Sequence, residues 1–286
     1  MLRRIVAAIL LVVPLAGCSR STTPATDKPK SENPQPRLES VPYLEHDKNV
    51  RGFLCRPGGK GPYPAVLMIH DRMGLTDGIK DQTYRLAQAG YVVLAVDLYR
   101  GQVAQSAKEA EHLQRELPRK RALADIKAAL DSLLRRSDVR EMHTRPIPPN
   151  EESRPIDERK TWDLGAIGLG MGGTFALDAA LEDPRLHALV LCYCPLPADA
   201  KRLAPLNASV FCVLAGKDKN VPAEMIRNFG DAMRAAHKRV SPLRVYGECQ
   251  AGFLDPSTWP IHGKPRESDV EDAWKLIAEY LSDEVK

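Results

Sequence analysis

Several features that often reveal a function class are scarce or missing in this chain. Its 286 residues hold six cysteines, too few for a small fold built on disulfides. The formal net charge is only +4 and is spread along the chain, which argues against nucleic acid as a partner. The sequence has no Cys/His spacing of the structural-zinc type and no phosphate-binding loop with its Lys-Ser/Thr. We therefore expect neither a metal nor a cofactor.

The N-terminal segment contains a short apolar run. Two arginines precede Ile5–Leu15, and these eleven residues are too few to cross a hydrocarbon core of about 30 Å as a helix. The basic start, apolar centre and small residues before Cys18 are typical of a secretory signal peptide at 1–17. The tetrapeptide at 15–18, Leu-Ala-Gly-Cys, resembles the bacterial lipoprotein signal; the alternative is an ordinary signal or short anchor with an incidental cysteine.

The lipoprotein resemblance implies a membrane anchor through a lipid on Cys18. Ser19 at the next position resembles the signal for outer-membrane delivery in Gram-negative bacteria, so we expect an exported lipoprotein facing the periplasm. Residues 19–40 contain four prolines, seven Ser or Thr and only two apolar residues, and this composition predicts a flexible linker that extends to residue 42. A domain is expected over 43–286, with a Pro- and charge-rich insertion at about 139–162.

The rest of the chain alternates between strand-like and helix-like segments. Apolar, β-branched-rich runs predict buried parallel strands, and amphipathic segments between them predict helices. The predicted strands are at 65–70, 91–98, 164–169, 186–192, 210–215 and 243–246, and the predicted helices at 78–89, 119–136, 172–182, 222–236 and about 270–281. Repeated β–α units with right-handed crossovers imply a single α/β domain, with a mostly parallel sheet covered by helices on both faces.

Three loops at the predicted carboxyl ends of the strands contain most of the chemical information. Such sheets bind their ligands at this edge. Gly168–Gly173 is a glycine-rich strand–turn–helix, the context in which α/β-hydrolases place a nucleophile. Ala215–Pro222 and Tyr246–Phe253 follow, in the order in which such enzymes carry the acid and the histidine base.

Further motifs make the chain similar to the dienelactone hydrolase family over roughly residues 43–284. The matching segments are Ile69–Leu75, Leu86–Tyr91, Asp97–Tyr99, the Gly-x-Asp-x-x-Val-Pro spacing of Gly216–Pro222, and Gly252-Phe253. The resemblance implies a compact α/β-hydrolase fold. It also implies hydrolysis of carboxylic esters or lactones by a Cys–His–Asp triad.

The triad of that family is incomplete here. The resemblance places the nucleophile at Gly170, the acid at Asp218, the base at Ala251 and a further acidic residue of the family at Asp71. Glycine has no nucleophile and alanine accepts no proton, and losing one such group costs on the order of a millionfold in turnover. We therefore predict a degenerate triad without the standard hydrolysis.

An active hydrolase with a relocated nucleophile is the alternative. Cys249 and Cys194 are the substitute thiol candidates, although buried cysteines commonly have only a packing role. His262 lies eleven residues after Ala251 and is either a displaced base or an ordinary surface histidine.

A pocket without a complete catalytic triad would still contain groups that can bind a ligand. We expect the backbone N–H of Met171 and another near Arg72 to form an anion-binding corner. His70 either contacts a ligand or is a hydrogen-bonded structural histidine, and Asp218 is either a relic acid or a turn residue that caps the next helix. The sequence thus predicts a membrane-tethered protein that binds a small carboxylate or lactone, or a protein partner.

Overall fold

The computed structural model describes residues 34–142, 161–162, 164–239 and 242–285. The strands in these ranges are β1 Arg37–Pro42, β2 Arg51–Arg56, β3 Ala65–Ile69, β4 Val92–Val96, β5 Glu141–Met142, β6 Thr161–Trp162, β7 Leu164–Leu169, β8 Ala188–Cys192, β9 Ser209–Ala215 and β10 Arg244–Tyr246. The helices are α1 Asp77–Gln88, α2 Ala107–Glu116, α3 Arg119–Leu134, α4 Met171–Glu182, α5 Ala200–Leu203, α6 Ala223–Ala235, α7 Trp259–His262 and α8 Glu267–Glu284, with a 3₁₀ turn at Pro256–Thr258.

Eight of the strands form one sheet in the order β1-β2-β4-β3-β7-β8-β9-β10. The β1–β2 and β2–β4 pairings are antiparallel, and the other pairings are parallel. Every residue of β3, β4, β7, β8 and β9 is buried, as expected for strands that are covered on both faces. The predicted α/β class and its mostly parallel sheet are confirmed.

Two apolar cores lie on opposite faces of the sheet. On one face, α3, α4 and α6 pack with side chains that include Ile126, Phe175 and Phe229. On the other, α1 and α8 contribute Ile79 and Trp274. The periodic apolar positions of these helices therefore point into the cores, and the described residues form one α/β domain.

The C-terminal boundary of the predicted linker needs correction. The structure places β1 at Arg37–Pro42, within the segment assigned to the linker, and pairs it with β2. Half of β1 is exposed and only Leu38 and Val41 are apolar, so its sequence lacks a buried-strand signal. Cross-strand hydrogen bonds to β2 hold it in the sheet.

The predicted insertion at 139–162 is described only at its two ends. There β5 pairs antiparallel with β6, and Val139 is buried. Residues 143–160 of this segment lie outside the described residues, as do the signal peptide and Cys18. Among the described helices, none combines the length and hydropathy that a bilayer crossing requires.

The strand order reverses between β3 and β7. From β3 the chain passes to β4 on one side, whereas β7 and the later strands extend the sheet on the other side. A crevice opens outside the carboxyl ends of the strands at such a switch point. The loops that follow β3 and β7 therefore meet there.

Candidate functional site

A cavity of about 340 Å³ lies at this switch point. The cavity brings together six of the residues predicted to form the site: Asp71, Arg72, Gly170, Met171, Asp218 and Ala251. They come from loops after four different strands and from the start of α4, so only the parallel sheet brings them together. The three positions that correspond to the family's triad, Gly170, Asp218 and Ala251, therefore all line this cavity.

The turn between β7 and α4 has the geometry of a nucleophile elbow. Gly170 has a φ of +51° and a ψ of −117°, and its N–H donates to the carbonyl of Cys192 at 2.9 Å. A residue with a side chain is strained in this half of φ space, whereas glycine is not. The elbow is thus kept as a backbone shape although its reactive side chain is missing.

The carboxylate of Asp71 lies where the side chain of an elbow nucleophile would begin. A Cβ added to Gly170 would overlap Asp71 Oδ1 and would lie 2.6 Å from Asp71 Cγ. Asp71 is only 8% exposed. A side chain at position 170 and the present position of Asp71 are therefore mutually exclusive.

The same carboxylate occupies the predicted anion-binding corner. Asp71 Oδ1 accepts hydrogen bonds from the backbone N–H of Arg72 at 2.6 Å and from that of Met171 at 3.4 Å. Burial raises the pKa of Asp71 to about 6, and these N–H groups together with the Arg72 charge limit the rise. The N–H groups of Arg72 and Met171 lie at the cavity as expected, but the Asp71 carboxylate of the same chain already accepts hydrogen bonds from both.

Of the two roles expected for His70, ligand contact or a structural histidine, its hydrogen bonds fit the second. Its side chain is fully buried, with Nδ1 2.6 Å from the Asp71 carbonyl oxygen and Nε2 accepting from the Leu98 N–H at 3.1 Å. Burial lowers its pKa. Because both ring nitrogens bond to backbone, His70 is a structural histidine that fixes the loop carrying Asp71.

Asp218 has a role in its own turn. Its Oδ1 accepts from the N–H of Asn220 at 2.9 Å, an Asx-type hydrogen bond. It does not cap α6, whose N-cap is Pro222 without a side-chain bond. The carboxylate lines the cavity, and Ala251 stands where a histidine partner would be needed.

His262 reaches the cavity through α7, despite its distance along the chain from Ala251. The turn at Pro256–Thr258 and α7 fold the chain back, so His262 lies on the cavity wall. Its Nε2 is 3.2 Å from Arg72 Nη2 and accepts from it, since a guanidinium only donates. Burial and then the Arg72 charge lower the pKa of His262. The ring is neutral, and its Nε2 lone pair is already engaged.

Neither candidate thiol lines this cavity. Cys194 is fully buried against Gly173, and burial raises its pKa to about 12. Cys249 borders a smaller neighbouring cavity, lies 3.7 Å from an Asp269 oxygen, and has a pKa raised to about 11, mainly by burial. A thiolate is the reactive form, so both are poor nucleophiles as placed. All five cysteines of the described residues are buried and free of disulfides.

Tyr193 also lines the cavity and was not among the predicted site residues. Tyr193 directly follows β8, has a φ of +36° and is 2% exposed. Its hydroxyl has no hydrogen-bond partner within the part of the chain that the structure describes. Burial and then the charge of Asp71 raise its pKa well above the ordinary value. Its place at the carboxyl end of a predicted strand was the available signal.

Fold and site together define the α/β-hydrolase class, with an elbow that has no nucleophile. Among the described residues, no group of three or more His, Cys, Asp and Glu side chains is arranged to hold a metal ion.

Within that class, the chain belongs to the dienelactone hydrolase family. The model described as "Dienelactone hydrolase family" matches residues 50–146 and 150–285. Proteins named "Putative carboxymethylenebutenolidase" are similar to this chain, for example in Methylorubrum extorquens, with 25% identity over 82% of this chain and 77% of the relative. The relative of that name in Saccharolobus solfataricus is 26% identical, over 84% of this chain and 96% of its own.

Solved structures support the fold assignment. A dienelactone hydrolase-like promiscuous phosphotriesterase from metagenomic libraries superimposes with a TM-score of 0.70 at 23% identity, covering 88% of this chain and 100% of the other. The dienelactone hydrolase of Anabaena variabilis gives a TM-score of 0.57 at 20% identity, covering 89% and 100%. At these identities the likeness extends to the fold alone.

Proposed function

We propose that this chain is a family member that binds a small ligand in the cavity and does not hydrolyse esters or lactones by the Cys–His–Asp mechanism. One observation carries the proposal: the Asp71 carboxylate lies at the elbow in place of a nucleophile and uses the N–H of Met171. In an active hydrolase those donors stabilise the oxyanion of the substrate. Here an incoming carbonyl oxygen would meet a carboxylate instead.

The cavity itself supports a binding role. It keeps a mixed lining of charged, polar and apolar side chains at the switch point, which is where ligands bind in such sheets. The buried carboxylate of Asp71 argues against a carboxylate ligand, because two like charges would share one corner. A lactone or another neutral molecule remains compatible with the site.

The alternative, a hydrolase with a relocated nucleophile, receives little support from the thiols. Cys194 and Cys249 are buried with raised pKa values, and neither borders the cavity that contains Asp218 and His262. Thr174 does border this cavity, one turn into α4, but no hydrogen bond joins it to a histidine within the described residues. Within the part of the chain that the structure describes, none of the three is hydrogen-bonded to a histidine base, and the hydrogen bond of the Cys249 thiol is to the Asp269 carboxylate.

Hydrolysis assays with p-nitrophenyl acetate and dihydrocoumarin test the proposal. We expect the full chain to release product at the background rate, and its Cys194→Ala and Cys249→Ala variants to do the same. Turnover that one of these substitutions or Thr174→Ala abolishes would instead establish a relocated nucleophile. Mass spectrometry after a bromoacetyl ester would then identify the reactive residue.

We also propose that the protein is tethered to the membrane through a lipid on Cys18, at the outer membrane facing the periplasm. The proposal rests on the resemblance of residues 15–18 to a lipoprotein signal and on Ser19 after it. Mass spectrometry of the N-terminal peptide should find acyl groups on Cys18, and the full chain should fractionate with outer membranes. A mature form that starts elsewhere, or an unmodified Cys18, would contradict the tether.

A further inference from the structure

Two polar groups of the cavity lack hydrogen-bond partners within the described residues. Both hydrogen bonds to the Asp71 carboxylate end on Oδ1, so Oδ2 is a free acceptor. The Tyr193 hydroxyl is buried and makes no hydrogen bond. Buried polar groups are nearly always hydrogen-bonded, and an orphan of this kind indicates either a water or a ligand.

The two groups have complementary hydrogen-bonding capacity and belong to residues that line the same cavity. Burial, and then the negative charge of Asp71, raise the pKa of Tyr193. A carboxylate oxygen only accepts hydrogen bonds, whereas a phenol hydroxyl donates readily. The cavity wall therefore includes one acceptor, Asp71 Oδ2, and one donor, the Tyr193 hydroxyl, that are unpartnered within the described residues.

The backbone of Tyr193 suggests that this placement is maintained by the surrounding fold. Its φ of +36° is unusual for a bulky side chain, and such strain persists only where neighbouring structure enforces it. Here the Tyr193 N–H donates to the carbonyl of Val213 at 2.8 Å, and the ring packs against Phe253 with centroids 5.8 Å apart. The hydroxyl is thus held in a fixed position without a partner.

We infer that this corner binds a neutral ligand through a hydroxyl group, which accepts a hydrogen bond from Tyr193 and donates one to Asp71 Oδ2. The inference deepens the proposed function and rests on it. An alcohol satisfies both groups. A lactone carbonyl can accept from Tyr193 but has no hydrogen to donate to Asp71. A carboxylate has the same deficiency and is also repelled by the negative charge of Asp71.

Three five-membered-ring probes of similar size test this order of affinity. They are 3-hydroxytetrahydrofuran, γ-butyrolactone and tetrahydrofuran-2-carboxylate, titrated into the ¹⁵N-labelled full chain with chemical shifts as the readout. At pH 7.5 we expect the alcohol to bind at least about fivefold more tightly than the lactone, and the carboxylate to bind least. The carboxylate should gain affinity at pH 5, where Asp71, with a pKa of about 6, is protonated.

Tyr193→Phe tests the donor, with Tyr43→Phe as its matched control. Both tyrosines are 2% exposed, but the Tyr43 hydroxyl donates to the Asp97 carbonyl at 3.1 Å. We expect Tyr193→Phe to weaken alcohol binding about fivefold and to leave Tm unchanged or higher, since no bond is lost. Tyr43→Phe should leave alcohol binding unchanged and lower Tm by about 2–4 °C.

The outcomes separate the two proposals. Equal affinity for the three probes, alcohol binding that Tyr193→Phe does not weaken, or a larger loss of Tm in Tyr193→Phe than in Tyr43→Phe would overturn the hydroxyl subsite. Alcohol binding that Tyr193→Phe does not weaken would mean that only water binds between Tyr193 and Asp71. None of them would restore ester hydrolysis, whereas ester turnover by the full chain would overturn the proposed function independently of probe binding.

Discussion

Two buried aspartate–tyrosine neighbourhoods lie at the carboxyl edge of the sheet, and their hydrogen bonding differs. After β4, Asp97 accepts from the N–H groups of Tyr99 at 3.0 Å and Gly101 at 2.6 Å, one on each carboxylate oxygen. The Tyr43 hydroxyl donates to its carbonyl. After β3 and β8, Asp71 accepts on one carboxylate oxygen only, and the Tyr193 hydroxyl makes no hydrogen bond among the described residues.

This difference distinguishes side chains that stabilise the fold, around Asp97, from side chains that line the cavity, Asp71 and Tyr193. Satisfied polar groups such as those around Asp97 define the loop geometry. Asp71 Oδ2 and the Tyr193 hydroxyl, both unpaired among the described residues, and the positive φ of Tyr193 all lie at the cavity, where unpaired polar groups and backbone strain cost stability. Substitutions in the two neighbourhoods should therefore have opposite effects.

The largest effect is expected from Gly170→Ala. The added Cβ would meet Asp71 Oδ1 and would also force alanine into a φ of +51°, so the free energy of unfolding should fall by about 3 kcal/mol. Gly90→Ala is the matched control, because Gly90 also has a positive φ, +102°, but an added Cβ finds nothing within 4 Å. Its expected cost is about 1 kcal/mol, and urea denaturation measures both.

A double-mutant cycle isolates the contribution of Asp71. In an Asp71→Ala background the cost of Gly170→Ala should approach that of Gly90→Ala, because the steric conflict is removed. Equal costs of Gly170→Ala and Gly90→Ala in the otherwise unchanged chain would mean that Asp71 moves aside freely, and the mutual exclusion would be wrong.

A smaller effect of opposite sign is expected from Asp71→Asn. Burial raises the folded-state pKa of Asp71 from 3.8 to about 6, so its ionised form destabilises the folded protein. The stabilisation from the neutral form is complete below pH 3.8 and is lost as pH rises through about 6. Asp71→Asn should therefore raise the free energy of unfolding by about 2–3 kcal/mol at pH 7.5, with the gain vanishing near pH 4.

Asp97→Asn is the contrasting control. Both oxygens of Asp97 accept from backbone N–H groups, so an amide would turn an NH₂ toward one of them and should destabilise by about 1–3 kcal/mol at pH 7.5. Chemical denaturation at several pH values measures both variants. Destabilisation by Asp71→Asn at neutral pH would remove the distinction between the two neighbourhoods.

The smallest effect concerns His262. The Arg72 guanidinium donates to Nε2 and lowers the pKa of His262, so Arg72→Gln should raise that pKa in an NMR titration. Lys217→Gln is the control: Lys217 is paired with Glu248 at 2.7 Å and is not among the charges that shift the pKa of His262, so this variant should leave that pKa unchanged. An unchanged pKa in Arg72→Gln would mean that burial alone sets the titration.

Periodicity was enough to predict most of the strands and helices, whereas the family resemblance identified positions 170, 218 and 251 as parts of one site. Each of these features repeats a local pattern: apolar runs for β3 and β7, and the positive-φ turn at Gly170. The strand β1 was missed because none of its side chains is buried, and cross-strand pairing with β2 holds it in the sheet.

Side-chain placement within the cavity was beyond prediction. Asp71 was identified as an acidic position, but its entry into the elbow depends on the missing Cβ of Gly170 and on N–H groups from two separate loops. The same holds for Tyr193, whose orphan hydroxyl is a property of three-dimensional packing. His262 reaches the cavity only because a turn and α7 reverse the chain.

The position of Asp71 also bears on what a nucleophile at position 170 would require. The Asp71 carboxylate occupies the backbone N–H groups of Arg72 and Met171 as the acid product of an ester would. Because it is covalently part of the chain, its effective concentration there is higher than that of most free ligands. A nucleophile at position 170 alone would be blocked by that carboxylate, and loss of the carboxylate alone would leave no nucleophile. The family's mechanism would therefore require three changes together: a nucleophile at position 170, removal of the Asp71 carboxylate from the elbow, and a base at position 251.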